Sequence, residues 1–128
     1  MKSYASAADI KVGVVGYGAS FNIARHHLHE MKRAGMVPVA MADIDPTRLP
    51  VAAEDFPGIK TFLSATEMLA GSDVDLIAVC TPHNMHAPVA IECLNAGRHV
   101  VTEKPFAVTT AQCDAMIAAA KANDVVLS

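Results

Sequence analysis

The stretch Ile10-Lys11-Val12-Gly13-Val14-Val15-Gly16-Tyr17-Gly18 decides the fold. Residues 10–15 form a short β-branched run that reads as a strand, and Gly16-Tyr17-Gly18 closes it with a tight turn. Beyond the turn a helical period places Phe21, Ala24, Leu28 and Met31 on one face, and Gly35 stops the helix. Strand and helix then alternate to the last residue. Residues 37–42 predict a second strand leading into Asp43, and Pro46 with Thr47 opens a short helix ending near Phe56-Pro57-Gly58. A minor strand at 59–62 precedes Ser64-Ala65-Thr66-Glu67, a capping-box pattern for a helix ending near Gly71. Residues 75–80 are almost continuously apolar, as suits a central parallel strand covered on both faces. Pro88 fits only the first turn of a helix, so the next one starts near residues 85–88 and stops at Gly97. Residues 98–102 predict a fifth strand, and residues 109–122 a last helix with Cys113, Met116, Ile117 and Ala120 on one face. The terminal VVLS reads as a sixth strand. Right-handed crossovers then make the expected fold an α/β doubly wound parallel sheet in the order 3-2-1-4-5-6.

Composition agrees with one domain spanning residues 1–128. Hydrophobic residues make up 52% against 18% charged, too apolar for a disordered chain. Aromatics are only 5%, Trp is absent and 23 residues are Ala, so the core is expected to be built of small aliphatics that let helices approach a sheet closely. The net charge is −3 with Lys and Arg scattered singly, which argues against a nucleic-acid partner. No apolar run approaches the roughly 18 residues of a bilayer span, and MKSYASAADI has no signal-peptide core, so no membrane partner and a cytoplasmic location are expected. Cys80, Cys93 and Cys113, spaced 13 and 20 residues apart in apolar surroundings, read as reduced core thiols.

The glycine turn is the first candidate for chemistry, because helix amides beside Gly16 and Gly18 can meet a pyrophosphate. The third glycine of a strict G-x-G-x-x-G would fall at residue 21, which is Phe. An extra residue or two within Ala19-Ser20-Phe21-Asn22-Ile23 would let Ala24 be the small residue at the helix–strand contact; the alternative is an ordinary glycine turn. Asp43, at the end of the second strand and some 20 residues beyond the loop, can accept bonds from both adenosine-ribose hydroxyls and repel a 2′-phosphate. That favours NAD over NADP, although Arg48 lies nearby, and the competing reading is a solvated turn acid before Asp45-Pro46. Cys80-Thr81-Pro82-His83-Asn84-Met85-His86 leaves the fourth strand beside the expected switch point, and Val101-Thr102-Glu103-Lys104-Pro105 leaves the fifth. His26, His27 and His29 cluster on the first helix, but no Cys or carboxylate completes a ligand set, so no metal site is expected.

Through GYG, the acid at 43, TPHNMH, AGRHVVTEKP and their spacing, the chain resembles the Gfo/Idh/MocA family, the glucose-fructose oxidoreductase and inositol dehydrogenase-like enzymes. EKP, 23 residues after TP, is the most specific of these signals. The resemblance implies a Rossmann domain binding NAD through Gly16, Gly18, Ala19, Ser20, Phe21, Asn22, Asp43, Thr81, Pro82, His83, His86, Glu103 and Lys104. It also implies hydride transfer with a sugar, polyol or related secondary alcohol, in which Lys104 shares a proton with the substrate hydroxyl and His86 is a second catalytic residue lining the nicotinamide side. For His83 and His86 a structural or solvent-facing role is the alternative. The family's second, larger α/β substrate domain is absent, so the chain is expected to be an isolated or truncated domain that binds cofactor with little turnover and could self-associate. A freestanding nucleotide-binding or regulatory module is the competing expectation, against which EKP argues.

Overall fold

The computed structural model describes residues 1–18 and 21–128. Five strands, β1 (Lys11–Val15), β2 (Val37–Ala42), β3 (Lys60–Phe62), β4 (Leu76–Val79) and β5 (His99–Thr102), form one parallel sheet in the order β3-β2-β1-β4-β5. Five α-helices connect or follow them: α1 (Ile23–Arg33), α2 (Arg48–Asp55), α3 (Ala65–Gly71), α4 (His86–Asn95) and α5 (Thr110–Ala122). Side chains alternate between the two faces of the sheet. Val12, Val14 and Met41 pack with Ala24 and Leu28 of α1 and Ala52 of α2 on one face, while Ile77, Val79 and Val100 pack with α3, α4 and α5 on the other. Alanines at 24, 40, 42, 52, 65, 78, 87, 90, 119 and 120 are buried, and their small side chains let both helix layers sit close to the strands.

Local chemistry explains the element ends. In β2, Pro38 has no N–H to give the ladder, and the register with β1 slips by one residue immediately after it, leaving Val39 unpaired. Gly35 and Gly97 take positive φ, and the bonds Gly35 N–H to Lys32 O, Met36 N–H to Met31 O, Gly97 N–H to Leu94 O and Arg98 N–H to Cys93 O close α1 and α4 with the same two-bond glycine cap. Pro88 is the third residue of α4, where no intrahelical donor is required.

Four expectations are corrected. The described residues form five strands, not six: residues 126–128 run parallel beside β5 through a single bridge, Leu127 to Val100. The ladder does not extend backwards because the Val126 N–H, facing β5, is taken by His99 Nδ1 at 3.0 Å. Phe21 lies ahead of α1 and is 81% exposed, since Asn22 caps the helix by accepting the Arg25 N–H through Oδ1 at 2.9 Å. Ile117 is exposed, because α5 packs chiefly on α4 and buries only the narrow stripe of Met116, Ala119 and Ala120. The capping box at α3 is half formed: Ser64 Oγ accepts the Glu67 N–H at 3.1 Å, while Glu67 reaches past Ser64 to the Leu63 N–H, also at 3.1 Å.

Candidate cofactor and active site

The loops leaving the carboxyl ends of β1, β2, β4 and β5 meet along one side of the sheet, where the strand order reverses between β1 and β4. Gly16 has φ +91° and donates its N–H to Ala42 O at 2.8 Å. A Cβ there would stand 2.6 Å from Cys80 O and 2.9 Å from Thr81 N, so the turn after β1 can lie against the turn after β4 only with glycine. Gly18 is different: among the described residues a Cβ would meet nothing nearer than Phe21 O at 3.8 Å, so its flank is open. Between them Tyr17 points inward and is fully buried. Its hydroxyl donates to Asp55 Oδ2 at 2.6 Å, the oxygen that also accepts from Arg25 Nε at 2.7 Å. Burial, followed by that Asp55 contact, pushes the Tyr17 hydroxyl up to about 12, so it remains a neutral donor tying the glycine loop to α2.

Two side chains from the β2 side grip the same loop. Asp43 Oδ2 accepts the Tyr17 N–H at 2.6 Å and Oδ1 accepts the Asp45 N–H at 2.8 Å. Arg48 donates from Nε to Tyr17 O at 2.7 Å and from Nη2 to Gly18 O at 3.3 Å. Asp43 lines a cavity of about 290 Å³ with Gly16, Ser64, Thr81, Pro82 and Met85. A second, wider groove of about 700 Å³ is lined by Gly18, Phe21, Thr81, His83, Glu103 and Lys104. Thr81 borders both, and its buried Oγ1 has no hydrogen-bond partner among the described residues; the Asn22 Nδ2 beside the glycine loop is likewise unpaired.

At the β5 end, the Glu103 N–H donates to Val79 O at 3.0 Å and Oε1 lies 2.6 Å from His27 Nε2 of α1. The His27 hydrogen bond holds the Glu103 carboxyl below its ordinary value, against a desolvation that acts to raise it. Lys104 is exposed on the groove, and the Lys104–Pro105 bond is cis. His83 is exposed at the cleft mouth, with its ring 5.7 Å from that of His86. His86 borders the groove, as expected, but has no exposed surface. It is fully buried, with Nδ1 2.7 Å from Pro105 O and Nε2 2.9 Å from Thr81 O. Two carbonyls face the two ring nitrogens, and a neutral imidazole has one N–H to give, so the ring sits between the β4 and β5 loops, bonded to one carbonyl and packed against the other. Burial, then the Glu103 charge, pushes the Cys80 thiol up to about 12, and burial does the same for Cys93, so neither is a nucleophile.

Gly16, Gly18, Phe21, Asp43, Thr81, Pro82, His83, His86, Glu103 and Lys104 thus converge, Asn22 follows Phe21 in the chain with its Nδ2 buried, and Ala19 and Ser20 lie outside the described residues. Among the described residues no three His, Cys, Asp or Glu side chains gather as a metal site. Nothing in the sequence marks His27, rather than His26 or His29, as the histidine that reaches the site, or Arg48 as the group that holds the loop. Both contacts span at least 30 residues and are made by packing alone. The open flank of Gly18, the Asp43 carboxylate and the unpaired polar groups of Thr81 and Asn22 suit a ligand carrying ribose hydroxyls and phosphates.

The family model described as oxidoreductase family, NAD-binding Rossmann fold, of the Gfo/Idh/MocA group matches residues 10–128. The chain belongs to the Gfo/Idh/MocA family. It is 36% identical over 112 residues to a 1-carboxy-3-chloro-3,4-dihydroxycyclohexa-1,5-diene dehydrogenase of Comamonas testosteroni, covering 88% of this chain and 28% of that protein. It is 30% identical over 118 residues to the myo-inositol 2-dehydrogenase of Thermotoga maritima, covering 92% of this chain and 35% of that one. The WlbA dehydrogenase of Bordetella pertussis, solved with NADH and UDP-GlcNAcA, superposes with a TM-score of 0.85 at 33% identity, over 92% of this chain and 36% of WlbA. The chain therefore spans about a third of the length of these relatives. Within the Gfo/Idh/MocA family it carries the NAD-binding Rossmann domain. No helix among the described residues is long and apolar enough to cross a membrane.

Proposed function

We propose that this chain is the cofactor-binding part of an NAD-dependent oxidoreductase acting on a sugar, polyol or related secondary alcohol. The observation that carries the reading is that Asp43 and Lys104 stand in separate grooves joined at Thr81–Pro82, a layout that suits the two ends of an extended dinucleotide. Asp43 holds the adenosine ribose, the Gly18 flank admits the pyrophosphate, and Thr81 Oγ1 and Asn22 Nδ2 find their missing partners on the ligand. Bound NAD supplies a hydride-accepting ring. The chain's own contribution at that end is Lys104, whose ammonium shares a proton with the substrate hydroxyl, and His86, which fixes the loops on either side. His83 and Phe21 line the same mouth.

Lys104 and Phe21 are open to solvent, and hydride transfer needs a water-excluded site, so the chain alone is expected to bind NAD with little turnover. Exposed apolar side chains such as Phe21 and Ile44 support self-association at high concentration, which sedimentation would register. Calorimetric titration with NAD, NADH, NADP and NADPH tests the function. Saturable NAD(H) binding, weakened by Asp43→Ala but largely kept in Lys104→Ala, is expected. No dinucleotide binding at millimolar concentration overturns it and leaves a regulatory module as the reading.

A further inference from the structure

Glu103 and Lys104 are sequence neighbours of opposite charge, and nothing in the sequence stops their side chains from pairing with each other. In the structure they do not. Glu103 Oε1 is 2.6 Å from His27 Nε2 and Oε2 accepts the backbone N–H of Lys104 at 3.2 Å, so each carboxylate oxygen has a partner. An ionised carboxylate can only accept, so Nε2 is the donor. The His27 and Glu103 side chains are 27% and 24% exposed, enough shielding for this bond to outlast a surface contact. Both ends are anchored. His27 lies between Ala24 and Leu28, which are buried against the sheet, and the Glu103 N–H is tied to Val79 O at the end of β4. The charged and titratable groups around the Glu103 carboxyl are His27 from α1, Lys104 beside it, and the protonated Cys80 thiol from the turn after β4. Lys104 itself is exposed and, among the described residues, makes no ion pair.

We propose that His27 is a positioning residue: its bond to Glu103 keeps that carboxylate off the neighbouring Lys104 ammonium and leaves the ammonium free on the groove. The use of a free ammonium there, to meet a substrate hydroxyl, rests on the function proposed above; the arrangement itself does not. Three groups thus act in series, with α1 setting Glu103 and Glu103's restraint setting Lys104.

The test needs no cofactor. His27→Phe keeps an aromatic ring and removes the donor, and His27→Gln restores an N–H near the position of Nε2. Acylation of Lys104 by an amine-reactive ester is followed by mass spectrometry and expressed relative to exposed Lys32 and Lys121. The relative rate is expected to fall roughly two- to fivefold in His27→Phe, the population shift an exposed ion pair produces, and to recover in His27→Gln. The carbon-13 titration of the Glu103 carboxyl should move up in His27→Phe, and in a Glu103→Gln background His27→Phe should leave Lys104 labelling unchanged. A folded His27→Phe protein with wild-type labelling overturns the proposal, as does an effect that persists without the Glu103 carboxylate. Should His27→Phe fail to fold, His27→Asn, whose amide is too short to reach Glu103, replaces it with the same expectations. Absence of NAD binding would remove the proposed function and leave the labelling result standing. Unchanged labelling with normal NAD binding would remove the role of His27 alone.

Discussion

Gly16→Ala and Gly18→Ala, which sequence treats as equivalent, are expected to fail in different ways. At Gly16 the backbone φ of +91° charges a left-handed penalty of about 1–2 kcal/mol to any residue with a Cβ. The new methyl would also stand 2.6 Å from Cys80 O, 2.8 Å from Cys80 C and 2.9 Å from Thr81 N. These are backbone atoms that directly follow β4 and are tied to β1, for the Cys80 N–H donates to Val15 O at 2.8 Å, so they cannot step aside and overpacking adds about 1–3 kcal/mol. The sum, about 2–5 kcal/mol, is a large part of the 5–15 kcal/mol that typically holds a domain together. For a chain of this size it should lower the melting temperature by about 6–20 °C. Among the described residues Gly18→Ala meets nothing nearer than Phe21 O at 3.8 Å, and it should change stability by no more than about 0.5 kcal/mol. Its methyl instead occupies the open flank offered to the NAD phosphates, and an intrusion costing about 1–3 kcal/mol weakens NAD binding about tenfold or more. Circular-dichroism melts and calorimetric NAD titrations on the two variants separate the effects. A Gly16→Ala protein melting within about 2 °C of wild type, or a Gly18→Ala protein destabilised as much as Gly16→Ala, would refute the reasoning.

Asp43→Ala removes the acceptor of the Tyr17 N–H together with the proposed ribose contact, and should weaken NAD about ten- to a hundredfold while affecting NADP less, as read by calorimetry. Arg48→Ala frees the carbonyls of Tyr17 and Gly18 and should weaken NAD severalfold with a melting temperature near wild type; equal loss of both would place Arg48 in the fold rather than the loop. His86→Phe removes the ring that faces the Thr81 and Pro105 carbonyls, to one of which a neutral imidazole donates, and is expected to cost about 1–3 kcal/mol in urea denaturation, where a merely exposed cleft histidine would cost nothing measurable. Burial acts to raise the Asp75 carboxyl, but bonds from Lys2 Nζ at 2.6 Å and the Lys11 N–H at 2.9 Å outweigh it and hold the group below its ordinary value. A depressed folded value means the unfolded chain binds the proton first. The stabilisation is therefore complete well above the unfolded carboxyl's value of about 3.9 and is lost as pH falls through the folded value. Melting temperatures from pH 7 to pH 3 should fall steeply below about pH 4 in wild type and less steeply in Asp75→Asn, whose curve starts lower.

The alternation of apolar strands with glycine- and proline-punctuated helices was legible because it is local. The caps at Gly35 and Gly97, the placement of Pro88, and the order of the first five strands all follow from residues within a few positions of one another and from the fixed hand of parallel crossovers. The apolar run at 125–127 predicts a sixth strand but says nothing of the His99 imidazole that takes the Val126 N–H. Periodicity puts Phe21 on the helix face because it cannot see where Asn22 places the cap. Of the two histidines after β4, the sequence placed both near the cleft, but only packing buries His86 between two carbonyls and leaves His83 in solvent.

What the sequence determined by itself was the set of chemical groups at the carboxyl ends of the strands: a glycine turn, an acid after β2, Thr-Pro after β4 and Glu-Lys-Pro after β5. Those positions are fixed by local hydrogen bonding and the two-residue period of a strand, which a linear reading can follow. Only the tertiary structure decided how the groups divide their work. Gly16 serves the contact between two turns and Gly18 the open groove; Arg48 grips the loop carbonyls, and His27 takes the carboxylate that lies next to Lys104 in the chain. Such assignments depend on side chains dozens of residues apart being brought to hydrogen-bond distance by the burial of two helix layers on one sheet, and that distance is a property of the packed fold.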